Sequence, residues 1–256
     1  MCLILFAWQH HPDYPLILAA NRDEFYERPT APAAFWQDAR GLLAGRDLRA
    51  GGTWLGVTRG GRFAALTNYR DPAALKEVAP SRGELVSGYL HGRRTPEAYL
   101  RRLRPEAARY NGFGLLAGNP DQLHYFSNRG GSSAVSPGIH GMSNHLLDTP
   151  WPKVERGKQA LEGLLERERT PSTESLLALL ADRSRPPDER LPATGVGLEW
   201  ERVLSPLFIE SPLYGTRSST VLTIDRRGCV TFVERLFNGG NDPWLTSRFD
   251  FRIIGQ

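Results

Sequence analysis

Directly behind Cys2 the chain runs Leu3-Ile4-Leu5-Phe6-Ala7-Trp8 without a polar residue. A run this short and this apolar reads as a strand covered on both faces, so the amino end is committed to the interior of a sheet. It is far too short to span a membrane, and no cationic segment precedes it, so it is not a secretory signal. His10-His11-Pro12-Asp13-Tyr14-Pro15 is a turn, and Leu16–Ala20 returns as a second strand, which makes a hairpin. Counting pairs around that turn puts Leu3 opposite Ala20 and Cys2 opposite Asn21.

Beyond the hairpin, a polar loop is expected from Asn21 to Arg40. Short glycine-bounded strands follow at Leu42–Gly45, Thr53–Thr58 and Arg62–Thr67. Ser81-Arg82-Gly83-Glu84 fits a capping box at the head of a helix with Leu85, Val86, Tyr89 and Leu90 on one face. Thr95-Pro96 starts a second helix, with proline where its missing N–H costs nothing. Phe113–Ala117 and Leu123–Phe126 form a hairpin around Asn119-Pro120-Asp121, and a weaker strand lies near Gly138–Ser143. Trp151–Arg169 and Ser172–Asp182 are a helical pair, and residues 183–206 read as a long surface loop. Ser218–Asp225 and Cys229–Phe237 make a last hairpin turning at Arg226-Arg227-Gly228, and aromatics are scattered from Trp244 to Ile254. Strands, helices, strands, helices, strands without steady alternation indicate layered α+β with antiparallel sheets rather than a doubly wound parallel fold.

Charge excludes little by itself. The 256 residues hold 32 Lys and Arg against 28 Asp and Glu, but the signs are interleaved and no cationic run exceeds two. Nucleic-acid binding needs cations gathered on one face, and the sequence gathers none, so no nucleic-acid partner is expected. Apolar residues at 40% and aromatics at 10% are enough for a real core. The two cysteines, Cys2 and Cys229, form no CxxC, and the six histidines have no metal-ligand spacing. No metal or cofactor is expected. The expectation is a cytoplasmic chain without a membrane span; its oligomeric state is open.

Candidate chemistry begins at Cys2. A small second residue allows Met1 to be removed, which leaves the thiol beside its own α-amine. That amine has an ordinary pKa of about 7.7–8.0, so it can accept the thiol proton, and one residue supplies nucleophile and base. A cysteine in a buried strand is equally a small apolar side chain. Asn21-Arg22-Asp23-Glu24 ends the returning strand, either as a hydrogen-bonded turn or as a polar cluster beside the thiol. In the second case Arg22 would lower the thiol pKa and Asp23 would hold the protonated amine. Asn68 and Asn144 end strands where an amide can donate to an oxyanion, though Asn is also a common turn residue. Arg217 precedes an apolar strand and can bind an anion or be a solvated edge charge. His145, next to Asn144, is the one histidine of interest, and no GxSxG elbow is present. Cys229, inside a strand, is expected to be inert beside Cys2.

Several of these residues recur in one arrangement. The Cys2 start, Leu18-Ala19-Ala20-Asn21-Arg22-Asp23-Glu24-Phe25, Arg28-Pro29, Gly51-Gly52-Thr53-Trp54-Leu55-Gly56, Ala65-Leu66-Thr67-Asn68-Tyr69, Ser81-Arg82-Gly83, Gly141-Met142-Ser143-Asn144 and Gly215-Thr216-Arg217-Ser218 resemble the NRDE family, also called the transport and Golgi organisation protein 2 family. The resemblance spans most of the chain and is densest in the first ninety residues. It implies one domain over residues 1–256 and a four-layer αββα sandwich of two antiparallel sheets, built like an N-terminal-nucleophile (Ntn) hydrolase. In the choloylglycine hydrolase and penicillin V acylase group the site is an N-terminal Cys, an Arg and Asp after the second strand, two Asn and a later Arg. Cys2, Asp23, Asn68, Asn144 and Arg217 match these in order and kind. Arg22 lies closer to the Asp than the acylase Arg does, so its role is left open.

The resemblance therefore implies an amidohydrolase acting on a nonpeptide carbon–nitrogen bond of a small acylated substrate. Its alternative implication is a non-catalytic carrier of haem or an acyl lipid on the same fold, with links to haem handling and lipid metabolism. A scaffold role is a third, weaker reading. Fold alone does not choose among them.

Overall fold

In the first strand, β1 (Cys2–Trp8), all seven residues are buried, and alternation sends them into two different cores. Ile4, Phe6 and Trp8 enter one core, while Leu3, Leu5 and Ala7 enter another. A strand that is apolar on both faces needs a layer on each side, and the rest of the chain supplies them. The computed structural model describes residues 2–239 and 242–254; Met1, whose removal is expected from the small residue behind it, lies outside them.

In chain order the first half holds β1, β2 (Leu16–Phe25), β3 (Thr30–Phe35), β4 (Leu42–Asp47), β5 (Leu55–Thr58), β6 (Phe63–Asn68), α1 (Gly83–His91) and α2 (Pro96–Leu103). Next come β7 (Phe113–Gly118), β8 (Leu123–Ser127), β9 (Gly131–Ala134), β10 (Gly138–Met142), α3 (Pro152–Arg167) and α4 (Thr173–Leu180). The last elements are α5 (Leu198–Val203), β11 (Tyr214–Ile224), β12 (Cys229–Leu236) and β13 (Leu245–Arg252). One sheet has the order β10-β1-β2-β11-β12-β13 and the other β3-β4-β5-β6-β7-β8-β9. Every strand pairing in both is antiparallel.

Ile4, Phe6, Leu16 and Leu18 from the first sheet meet Leu55, Val57, Phe63 and Leu116 from the second in the core between them. Leu85, Val86 and Tyr89 of α1 and Leu100 of α2 cover the outer face of the second sheet. Val154 and Leu161 of α3 with Leu176 and Leu177 of α4 cover Leu3, Leu5 and Ala7 on the first. The result is the αββα sandwich, with β1 in the interior of its sheet. Each fully buried side chain of this size contributes about 1.5–3 kcal/mol, so the layers are held chiefly by these three cores.

Several local expectations change. Trp8 pairs with Leu16 and Cys2 with Arg22, one residue off the count made from sequence. Gln9 takes a left-handed φ of 47° and its N–H donates to Pro15 O, so the turn begins a residue earlier than its prolines indicate. The segment from Asn21 to Arg40 is not a loop: β2 continues to Phe25, and residues 30–35 form β3. Pro32 hides that strand from the sequence, and it is tolerated because β3 is an edge strand with an irregularity between Ala31 and Ala34. The capping box at Ser81 does not form. Ser81 Oγ accepts from Gly83 N, two residues on, while Glu84 Oε1 accepts from Tyr110 OH at 2.6 Å. Thr95 does cap α2, accepting from Ala98 N. Residues 183–206 include α5, whose Glu201 is buried, and the aromatics after Trp244 belong to edge strand β13.

Candidate active site

Strand alternation fixes where the Cys2 side chain goes. It shares parity with Ile4 and Phe6, so it lies on the face between the sheets, and at the strand end that face opens into a cleft of about 310 Å3. Cys2 is 8% exposed. Its carbonyl accepts from Ser143 Oγ at 3.1 Å. Burial pushes its thiol above the ordinary value, against the opposing influence of Arg22, so burial outweighs the cation that was expected to lower it.

On β2 the same alternation separates Asn21 from Arg22. Asn21 faces the helices, donating to Leu180 O and Leu207 O at 2.9 and 2.8 Å and accepting from Ser219 Oγ at 2.6 Å. It is a structural clamp. Arg22 faces the cleft, with its guanidinium carbon 4.3 Å from the Trp54 ring centroid and Nη2 3.7 Å from Asp47 Oδ2. Asp23 is 1% exposed and borders the same cleft. Its Oδ1 accepts from Thr216 Oγ1 at 2.8 Å, and burial raises its pKa while the Lys153 charge opposes that rise. Lys153, at the start of α3, is 3% exposed, donates to Leu204 O at 3.0 Å, and is pushed down to about 8 by burial.

Asn68 closes β6 and lines the cleft half-buried. Asn144 is fully buried behind it. Its Nδ2 donates to Asn68 O at 3.1 Å, and its Oδ1 accepts from Arg70 Nη2 at 3.2 Å and Ser143 Oγ at 3.3 Å. Arg70 is held in turn by Glu201 Oε2 at 2.5 Å. Extending the register Ile4↔Met142 by two residues brings Asn144 level with Cys2. This chain of bonds ties the ends of β10 and β6 across the two sheets.

Cys2, Arg22, Asp23 and Asn68 thus share one cleft wall, with Asn144 packed directly beneath. Arg217 is elsewhere. It sits in the bulge between Thr216 and Ser218, and its Nη1 donates to Phe25 O, Tyr26 O and Arg28 O at 2.8, 2.9 and 3.1 Å, holding the β2–β3 turn. His145 also lies outside the cleft wall, between Tyr69 OH at 2.6 Å and Thr149 Oγ1 at 2.8 Å. Cys229 is exposed, and both cysteines are free thiols.

Sequence reasoning gave no role to Arg28, Trp54 or Arg82, although all three stand in the quoted motifs. Their placement depends on a close backbone approach: a Cβ on Gly52 would lie 2.5 Å from the Gly83 carbonyl carbon. Glycine at 52 lets the β4–β5 loop rest on the start of α1, which brings Trp54 and Arg82 to the cleft. Lys153 carries no signal of its own, being one lysine on an amphipathic helix.

The αββα sandwich with its first strand inside a sheet is an Ntn-hydrolase-like fold. Two solved structures share the fold. The C2A mutant of conjugated bile acid hydrolase from Clostridium perfringens matches with a TM-score of 0.53 at 7% identity, covering 100% of this chain and 98% of that one. The Caenorhabditis elegans N-acylethanolamine-hydrolyzing acid amidase ortholog matches at 0.51 with 13% identity, covering 86% and 92%.

The family follows from sequence. The model of the Transport and Golgi organisation 2 family matches residues 1–239, and the chain belongs to that family. It is 39% identical to the Bos taurus Transport and Golgi organization protein 2 homolog over 99% of both chains, and 36% identical to that of Homo sapiens over 99% of both. It is 31% identical to the Drosophila melanogaster Transport and Golgi organization protein 2 over 93% of both. No helix among the described residues is long and apolar enough to cross a membrane.

Proposed function

We propose that this protein is an N-terminal-cysteine amidohydrolase acting on a nonpeptide carbon–nitrogen bond of a small acylated substrate. One observation carries the reading: Cys2 opens an interior strand on the face that meets the cleft, beside buried Asp23 and opposite Arg22. A thiol raised by burial is a poor nucleophile alone, since the thiolate attacks, so it needs a base at hand. Loss of Met1 provides one in the Cys2 α-amine.

In the first half-reaction the amine takes the thiol proton and sulfur bonds to the carbonyl carbon, whose π pair moves to oxygen. Asn68 donates to that oxyanion, and Asn144, fully buried behind it, acts by holding Asn68 through its bond to Asn68 O. The carbonyl reforms, the carbon–nitrogen bond breaks, and the ammonium proton passes to the leaving nitrogen. Water then attacks the thioester, with the amine again taking a proton, and releases the acid and the thiol. Asp23 holds the ammonium form. Arg22 stabilises the thiolate, and Arg217 acts only through the turn it holds.

The carrier alternative, for haem or an acyl lipid, has less physical support. Pockets for such ligands are predominantly apolar, whereas Arg22, Arg28, Arg82, Asp23, Glu24 and Asp47 all line this cleft.

The test is turnover of a panel of N-acyl amines by wild type and Cys2→Ala, with intact mass measured on the same preparations. The reading requires loss of one Met and hydrolysis that disappears in Cys2→Ala. Hydrolysis that survives in Cys2→Ala, or no hydrolysis across the panel by fully processed protein, overturns it.

A further inference from the structure

The charges around the cleft do not cancel side chain by side chain. Arg28 Nε lies 2.6 Å from Asp47 Oδ2 and 3.9 Å from Glu24, and Arg22 shares the same Asp47 at 3.7 Å. Asp47 is also bound to its own loop, its Oδ1 accepting from Arg49 N and Ala50 N at 3.0 and 2.9 Å. The charge of buried Lys153 acts on Asp23. Among the described residues the third cleft arginine, Arg82, has no ion-pair partner; Cys2 and Glu24 act on its charge only at longer range. Among the described residues its guanidinium makes one hydrogen bond, from Nη1 to Gly112 O at 3.0 Å, and no carboxylate lies within 4 Å. It is half-buried and lines the same cleft as Cys2.

A guanidinium has five N–H donors in a planar fork that matches a carboxylate. Arg82 spends one donor on a backbone carbonyl and keeps the rest. A cation held by the backbone in a partly desolvated cleft interacts more strongly with an anion than one in bulk water. Gly52 and Gly83 hold the underlying loops in contact, so its base does not have to be ordered when ligand arrives.

We infer that Arg82 is the anion-reading residue of this cleft and that the substrate carries a carboxylate close to its reacting carbonyl. This rests on the amidohydrolase reading for the word substrate, but the anion preference itself can be measured without turnover. Arg217, the sequence candidate for this task, does not line the cleft, and its Nη1 is bound by three carbonyls of the β2–β3 turn.

The experiment compares iodoacetate with iodoacetamide, reagents of similar size that differ in charge, at both cysteines of the wild-type protein by mass spectrometry. Exposed Cys229 is the internal reference. The iodoacetate-to-iodoacetamide rate ratio at Cys2 should exceed that at Cys229 by roughly ten-fold, the worth of one charge-assisted hydrogen bond. Arg82→Gln should abolish the excess and Arg82→Lys, which keeps the charge, should retain most of it, with circular dichroism checking the fold of each. Equal ratios at the two cysteines of wild type, or an unchanged Cys2 ratio in folded Arg82→Gln, overturn the inference. If Cys2 resists both reagents, thermal stabilisation by hexanoate against hexanamide decides: a shift with hexanoate alone that is lost in Arg82→Gln supports it, and no such shift overturns it. Anion preference without hydrolysis of any N-acyl substrate would remove the hydrolase reading alone. Hydrolysis without anion preference would remove this one alone.

Discussion

Arg22 stands directly across the β1–β2 ladder from Cys2, its guanidinium stacked on Trp54 at 4.3 Å and 3.7 Å from Asp47. One side chain therefore joins the candidate nucleophile to the facing sheet. Its charge favours the Cys2 thiolate, and its stem helps seal the cleft floor.

Replacing Arg22 separates those two effects. Arg22→Met keeps much of the stem and removes the charge, so the pH midpoint of Cys2 alkylation should move up. The stranded Asp47 still has Arg28 at 2.6 Å, which limits the stability loss to the lower part of the ~3–5 kcal/mol seen when a buried pair is broken. A midpoint that stays put or falls would mean that Arg22 does not act on the thiol.

Glu234 gives a pH signature in stability. It is 1% exposed on β12, its Oε1 accepts from Ala33 N at 2.7 Å, and burial raises its pKa to about 7. The folded pKa exceeds the unfolded one, so the native state binds more protons between them. This stabilising contribution is full below about pH 4.5 and is lost as pH rises through about 7. Glu234→Gln keeps an acceptor for Ala33 and does not titrate. Relative to wild type it should gain roughly 2–3 kcal/mol between pH 4.5 and pH 8, read from urea midpoints at both values. A wild-type-to-variant difference that does not change with pH would show that Glu234 is already ionised in the folded protein.

Much of this arrangement was legible in the residues. The apolar run behind Cys2, the Asn119-Pro120-Asp121 turn and the Thr95-Pro96 start each follow from local chemistry, and each occurs. What failed was partly local and mostly non-local. The one-residue error in register came from Gln9, whose left-handed backbone has no sequence marker. β3 was hidden by a proline that only an edge strand accepts. Of the site residues, those on β1, β2 and β6 follow from strand ends meeting, whereas Asn144 beneath Asn68 depends on the chain beyond β10, and Arg217 on the bulge in β11 from which it reaches the β2–β3 turn. Arg82 was visible as part of a motif but not as a cleft cation with no carboxylate within 4 Å among the described residues, because that spacing is a property of three dimensions.

Lys153 and Asp23 supply a third prediction. Lys153 is the largest influence opposing the rise of the Asp23 pKa. In Lys153→Met the Asp23 carboxyl should therefore titrate at higher pH, followed by carbon-13 NMR of the labelled carboxyl. If Asp23 holds the Cys2 ammonium only as a carboxylate, the acid limb of any turnover profile moves up with it. An Asp23 titration identical in wild type and variant would remove Lys153 from the site's electrostatics.

The last prediction concerns the two cysteines. Cys229, expected to be inert beside Cys2, is exposed at the start of β12, so a neutral alkylating reagent should reach it readily. Cys2 is 8% exposed with its thiol raised by burial, so accessibility and ionisation both disfavour it unless a neighbouring base takes the proton. The α-amine is that base only when no residue precedes Cys2. A variant with lysine inserted between Met1 and Cys2 blocks Met removal, because the residue behind Met is then large. In this variant Cys2 should react slowly at pH 7, accelerate only above the ordinary thiol range, and lose hydrolysis by at least about 100-fold, within the range of general-base contributions. Cys229 should react as in wild type, which reports that the fold is intact. Equal Cys2 reactivity in the two proteins would mean that the thiol needs no freed amine, and the proton route through the amino terminus would have to be replaced by another base.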